Sequence, residues 1–166
     1  ILEKNPKKLI VIEKDDYLAE QLKTKFSSKI NIICNDVLKI DENQIDDEKL
    51  IVFGNLPYNI STEILCKWIL NINQNNVWFS HLILMFQKEV ADRIIATPDT
   101  KNYGRLSIIS NWKLNIKKLF DVKPQSFLPI PKIDSTVLYF EPKQHFYKIK
   151  KGVNLEKITR LLFAHR

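Results

Sequence analysis

The sequence predicts an α/β protein built on a mainly parallel sheet. Short β-branched apolar runs each stop at polar residues, and segments with one apolar side at helical spacing stand between them. Length bounds the answer as well, since 166 residues hold one complete domain and the start of another.

The first run, Leu9-Ile10-Val11-Ile12, ends at Glu13 and has the wholly apolar character of a strand buried on both faces. Asp15 or Asp16 can cap the next segment, a helix with Leu18, Leu22 and Phe26 on one side. Ile30 to Cys34 gives a second strand ending in Asn35-Asp36, and Leu50 to Phe53 a third ending in Gly54-Asn55. Ser61 can cap a helix carrying Ile64, Leu65, Trp68 and Ile69; Leu82 to Phe86 is then a fourth strand and Gln87 to Ile95 another helix. Beyond this point the rhythm changes. A helix over Arg105 to Trp112 is followed by two extended segments, Leu114 to Val122 and Ser135 to Phe140, around the proline-rich Pro124 to Pro131. Two strands with no helix between them predict an antiparallel hairpin closing the sheet edge. Residues 143–153 read as a basic linker, and Asn154 as the cap of a last helix with Leu155, Ile158, Leu161 and Leu162. Residues 1–142 therefore form one domain, and 143–166 a linker with the first helix of a second. The chain opens at Ile1 and stops within a helical pattern, so it reads as a fragment.

Composition excludes several classes. Hydrophobic residues make up 45% of the chain, enough for a core, while no apolar run approaches the roughly 18 residues of a membrane span. A soluble, cytoplasmic monomer is expected. Cys34 and Cys66 are too few for a disulfide scaffold or a thiolate zinc site, and His81, His145 and His165 are too dispersed for a metal centre or triad. No metal is expected. Three glycines, against an average near 7%, exclude a glycine-rich nucleotide loop. Trp68, Trp78 and Trp112 are expected in the core rather than as platforms for RNA bases. The net charge of +7 is uneven, with −3 over residues 1–100 and +10 over residues 101–166. A basic end of this kind suits a polyanion, although Lys supplies 22 of the 26 cations and composition bias contributes.

Ligands of open α/β sheets sit beyond the carboxyl ends of the strands, where Glu13, Asp36 and Asn55 fall. An acid there suits ribose hydroxyls, and a carboxylate or amide suits an adenine amine. Each alone is more often a helix cap or a solvated turn. The sharper signal is Asn55-Leu56-Pro57-Tyr58, directly after an apolar strand and before a capped helix. It could be no more than a proline-stiffened turn with an inward tyrosine. Its chemistry nevertheless matches a defined task. An adenine exocyclic amine is a poor nucleophile because its lone pair is delocalised into the ring. An Asn oxygen and a backbone carbonyl that accept its two N–H groups favour a pyramidal nitrogen with its lone pair free. Pro57 presets that carbonyl, and Tyr58 offers a face on which an extruded base stacks.

At these residues the sequence resembles the rRNA adenine dimethyltransferases of the small ribosomal subunit, a branch of the S-adenosylmethionine-dependent methyltransferases. The ordered blocks are Val11 to Asp15, Asn35-Asp36-Val37, Phe53 to Ser61, Phe86 to Val90, Tyr103 to Ser107, Ser126 to Ser135 and Leu162 to Arg166. The resemblance implies a Rossmann-like methyltransferase fold with the start of a small C-terminal helical domain that engages rRNA. It implies S-adenosylmethionine as cofactor, with Glu13 on its ribose and Asp36 on its adenine ring. It also implies that Asn55, with Leu56 and Pro57, holds the target amine beside the cofactor, and that Tyr58 and Phe127 sandwich the flipped base. The implied reaction is N6 dimethylation of small-subunit (16S) rRNA adenines during ribosome biogenesis, on a precursor of the small subunit. The family's glycine-rich first motif is absent, so no residue here is assigned to the methionine part of the cofactor and residues 1–166 alone are expected to be inactive. Two alternatives stay open at this stage: a non-catalytic RNA-binding assembly factor, and a DNA adenine N6-methyltransferase.

Overall fold

The computed structural model describes residues 1–26, 29–73 and 77–164. The chain divides into two compact units, Ile1–Glu42 and Asn43–Arg166.

In the first unit, strand β1 (Ile10–Glu13) pairs in parallel with β2 (Asn31–Cys34), and helix α1 (Asp16–Phe26) connects them. Asp15 is the cap that starts α1, its Oδ1 accepting the Leu18 N–H at 2.9 Å. The register sets Glu13 opposite Cys34, so both strands end together and deliver Glu13 and Asn35-Asp36 to one end of the pair. β1 was expected to be buried on both faces and is half-buried along its whole length. Among the described residues it pairs with no strand but β2, which leaves one edge without a strand.

The second unit carries a four-stranded sheet in the order β3-β4-β6-β5. β3 (Leu50–Asn55), α2 (Ser61–Asn71) and β4 (Phe79–Gln87) form a parallel crossover unit. After α3 (Lys88–Ile94) and α4 (Arg105–Lys113), β5 (Leu114–Val122) and β6 (Ser135–Pro142) form the expected antiparallel hairpin. β6 inserts between β4 and the edge strand β5, which bulges near Leu119. The core includes Leu82, Leu84 and Phe86 of β4, Leu138 and Phe140 of β6, and Ile64, Leu65 and Ile69 of α2, all of them fully buried. Phe86 and Phe140 pack edge to face with ring centroids 6.1 Å apart. Trp68 and Trp78 are buried as expected, but Trp112 is only half-covered, its indole N–H donating to the Tyr147 carbonyl at 2.7 Å.

Two expected caps take other roles. Ser61 is the first helical residue of α2, and its hydroxyl donates backwards to the Tyr58 carbonyl at 3.1 Å rather than accepting a helix N–H. Asn154 lies inside α5 (Gly152–Leu162), which begins after Lys151. Its first residue, Gly152, lies against the ring of Trp112: a Cβ there would stand 3.0 Å from Trp112 Cη2. The basic stretch before it returns along α4, with Lys143 N donating to the Lys113 carbonyl at 2.8 Å. α5 is tied to α4 by the Arg105–Glu156 ion pair at 3.0 Å. His165 and Arg166 lie outside the described residues. No helix among the described residues is long and apolar enough to cross a membrane.

Candidate active site

The carboxyl end of the β1–β2 pair holds two shaped carboxylates. Glu13 Oε1 accepts the backbone N–H groups of Lys14 at 2.7 Å and Asp15 at 2.9 Å. This orients the group and leaves its other oxygen free of those bonds, an acceptor pattern suited to vicinal hydroxyls. Asp36 Oδ2 takes the Lys14 ammonium at 2.9 Å, and Oδ1 caps the turn Val37–Lys39 through the Leu38 N–H at 3.0 Å. The Lys14 contact first, then the Leu38 bond, holds the Asp36 carboxyl below the usual carboxylate range. Asp36 is thus an ionised acceptor at neutral pH, and each of the two side chains keeps acceptor lone pairs beyond these bonds, which fits the ribose and adenine amine of a nucleoside cofactor.

At the carboxyl end of β3 the backbone is crowded by design. A Cβ on Gly54 would lie 2.7 Å from Leu84 Cδ2 and 3.0 Å from Leu56 Cδ2, so only glycine lets the strand pass the core and turn. Asn55 follows with an exposed side chain that forms no hydrogen bond to any described residue. The Pro57 carbonyl accepts the Ile60 N–H at 3.1 Å and closes the turn. Tyr58 is half-buried and held at both ends, by Ser61 on its carbonyl and by the Ser135 hydroxyl 2.7 Å from its phenol oxygen. An exposed amide at the end of a hydrogen-bonded turn, followed by a half-buried aromatic ring, has the groups needed to receive a planar base and its amine.

Phe127 stands half-buried in the β5–β6 connection, after the one-turn helix Pro124–Ser126. The neck of that loop is closed by Lys123 Nζ to Asp134 Oδ2 at 2.7 Å and by the Lys88 N–H to the Asp134 carbonyl at 2.9 Å. Ser135, which anchors Tyr58, is the next residue, so the loop bearing Phe127 and the turn bearing Tyr58 meet at one point. No ring contact joins Tyr58 to Phe127. Asn55, Leu56, Pro57, Tyr58 and Phe127 belong to the second unit, whereas Glu13 and Asp36 belong to the first.

His81 Nδ1 is 2.6 Å from the Tyr139 hydroxyl and its ring stacks on the tyrosine, while His145 is exposed. Among the described residues no group of three His, Cys, Asp or Glu side chains could hold a metal ion.

A model of the ribosomal RNA adenine dimethylases matches residues 1–166. The chain belongs to this family. It is 64% identical over its full length to the ribosomal RNA small subunit methyltransferase A of Pelagibacter ubique, covering 63% of that protein. It is 46% identical over 99% of its length to the enzyme of that name from a Wolbachia of Drosophila simulans, covering 59% of it. The chain thus spans about three fifths of the length of the curated relatives it matches. Among solved structures it is similar to a dimethyladenosine transferase from Plasmodium falciparum, with TM-score 0.72, 25% identity, and 96% of this chain and 56% of that one covered. A 23S rRNA methyltransferase, ErmE, shares the fold, with TM-score 0.68, 22% identity, and 95% of this chain and 62% of that one covered. The fold is Rossmann-like, as these dimethylases and their neighbours have it.

Sequence reasoning missed three residues that hold the candidate site and the elements beside it. Lys14 and Ser135 lie inside blocks that carry the family resemblance, but neither has a side chain whose partner can be read from spacing. Lys113 is the third. It is 4% exposed and its ammonium donates to the carbonyls of Ile69, Leu70 and Ile72 at the end of α2. A lysine at a helix–strand junction reads as a solvated charge, and only the packed structure shows it as a helix cap.

Proposed function

We propose that the full-length protein is an S-adenosylmethionine-dependent rRNA adenine N6,N6-dimethyltransferase acting on small-subunit rRNA during ribosome biogenesis, in the cytoplasm, as a monomer. Residues 1–142 belong to its catalytic domain, and residues 143–166 lead into a helical domain that engages rRNA. The observation that carries this reading is the Asn55-Leu56-Pro57-Tyr58 turn, with an exposed amide at its start that has no hydrogen-bond partner among the described residues, and three residues later a tyrosine held at its backbone carbonyl and at its hydroxyl. A protein that only binds RNA has no need of an amide held ready for an amine.

S-adenosylmethionine supplies an electrophilic methyl group when bound. Glu13 would hold its ribose and Asp36 its adenine ring. The chain itself provides the rest. Asn55 Oδ1 and the Leu56 carbonyl next to Pro57 accept the two N–H groups of the target amine, which keeps the nitrogen lone pair out of the ring. Tyr58 and Phe127 stack on the two faces of the extruded base and fix its approach. Rate acceleration then comes from orientation and amine polarisation, with no covalent enzyme intermediate. For each methyl it gains the amine would release one proton to solvent, the spent cofactor leaving as a neutral thioether, and a second round on the same nitrogen with fresh cofactor would give the dimethyl product.

The test is mass spectrometry of small-subunit rRNA incubated as immature particles with full-length protein and labelled cofactor. Label in N6-dimethyladenine supports the proposal. Tight binding of the particles with no label transferred would favour an assembly factor, and label in duplex DNA rather than rRNA would favour a DNA enzyme.

A further inference from the structure

The bond between Tyr58 and Ser135 spans 77 positions and belongs to neither the amine clamp nor the cofactor contacts. Ser135 is fully buried, and a hydroxyl without water must find a partner in the protein; here that partner is the Tyr58 phenol at 2.7 Å. Its own place is fixed. Ser135 opens β6, opposite Gln87 at the end of β4 and Val122 at the end of β5, so two neighbouring strands hold its backbone. The residue before it, Asp134, closes the neck of the loop that carries Phe127. At the other end of the tyrosine, Ser61 holds the backbone carbonyl.

We propose that Ser135 is a positioning residue for methyl transfer: it holds the Tyr58 hydroxyl, and so sets the plane of the stacking ring and its spacing from the Phe127 loop. The inference rests on the proposed stacking of an adenine on Tyr58. A ring tethered only at its backbone end can swing about its side-chain torsions, whereas one tethered at both ends presents a single face. Orientation of the reacting amine is a large part of what the site supplies, and small misplacements are costly. The phenol in this arrangement is an anchor and takes no part in proton transfer.

The experiment compares single-turnover methyl transfer to small-subunit particles by full-length Ser135→Ala, Tyr58→Phe, the double variant and Ser135→Thr, with Asn55→Ala as reference. Ser135→Ala and Tyr58→Phe are each expected to slow transfer about tenfold while leaving KM for the cofactor unchanged. The double variant should be no slower than the slower single variant, because both remove one shared bond. Ser135→Thr, which restores a hydroxyl, should recover most of the rate. A wild-type rate in Ser135→Ala, or a double variant in which the two losses multiply, overturns the proposal. Should Ser135→Ala fail to fold, Tyr58→Phe decides alone, since it deletes the same bond from the half-exposed side. A wild-type rate in Asn55→Ala would instead remove the amine clamp on which the inference rests; loss in Asn55→Ala with full rates in the other variants would remove only the role of Ser135.

Discussion

Lys14 places its ammonium 2.9 Å from Asp36, joining the residue after β1 to the second residue after β2. The pair fixes the carboxylate proposed to meet the cofactor's adenine and keeps it charged. Its lysine end is largely exposed, so the bond is screened by salt and adds little to stability.

Replacing Lys14 by Met should raise the Asp36 pKa toward the ordinary carboxylate value of about 3.9. The sign follows from the depressed folded-state value. The contribution is complete above the unfolded carboxylate range and is lost as pH falls through the lower folded value. A carboxyl-carbon NMR titration of wild type and Lys14→Met reads the shift directly. An unchanged Asp36 titration would show that the Leu38 N–H alone sets it.

Lys113 should be a stability residue. Its three ammonium protons match three carbonyls, at 2.9, 3.3 and 2.7 Å, and it lies 4.1 Å from the centre of the Trp112 ring. Lys113→Met leaves the end of α2 with buried, unsatisfied acceptors and should cost about 1–3 kcal/mol in urea unfolding. Burial pushes the ammonium down to about 8 from its ordinary 10.5. Between those values the unfolded chain binds more protons, so this group makes stability rise with pH from about 8 to 10.5. Lys113→Met should flatten that rise.

Gly54→Ala tests the crowding beneath the site. The added methyl would meet Leu84 and Leu56, and Leu84 is fully buried, so the packing around it must shift. Overpacking of this kind costs about 1–3 kcal/mol. Because Leu56 lies between Asn55 and Pro57, the variant should lose methyl transfer at temperatures where it is still folded. Circular dichroism beside an activity assay separates the two effects.

Tyr58→Ala and Phe127→Ala should each weaken capture of the flipped adenine. Stacking on an aromatic ring is worth about 1–3 kcal/mol per base, or about 5- to 150-fold in the specificity constant. The loss should fall on the rRNA substrate, with cofactor affinity unchanged by calorimetry. Equal losses in both would place the rings elsewhere.

Much of this was legible because apolar runs and polar strand ends are local signals. The order of the six strands and five α-helices among the described residues follows from them, as does the delivery of Glu13, Asp36 and Asn55 to strand ends. Burial was less legible. The run Leu50 to Phe53 looks uniformly apolar, yet Ile51 and Phe53 are more than half exposed, because a strand's composition does not say which of its faces and edges are covered. Long-range side-chain partners were not legible at all. Nothing in sequence spacing links Tyr58 to Ser135 or Lys113 to the end of α2, since each bond depends on how separate elements pack. The cap expected at Asn154 lies two residues inside α5, whose first residue, Gly152, packs on Trp112, a neighbour that sequence spacing does not reveal.

Asn55→Ala in the full-length protein is the most direct test of the amine clamp. With wild-type cofactor affinity, methylation of adenines in small-subunit particles, read by mass spectrometry, should fall about 100-fold or more. Methylation at the wild-type rate would contradict the account.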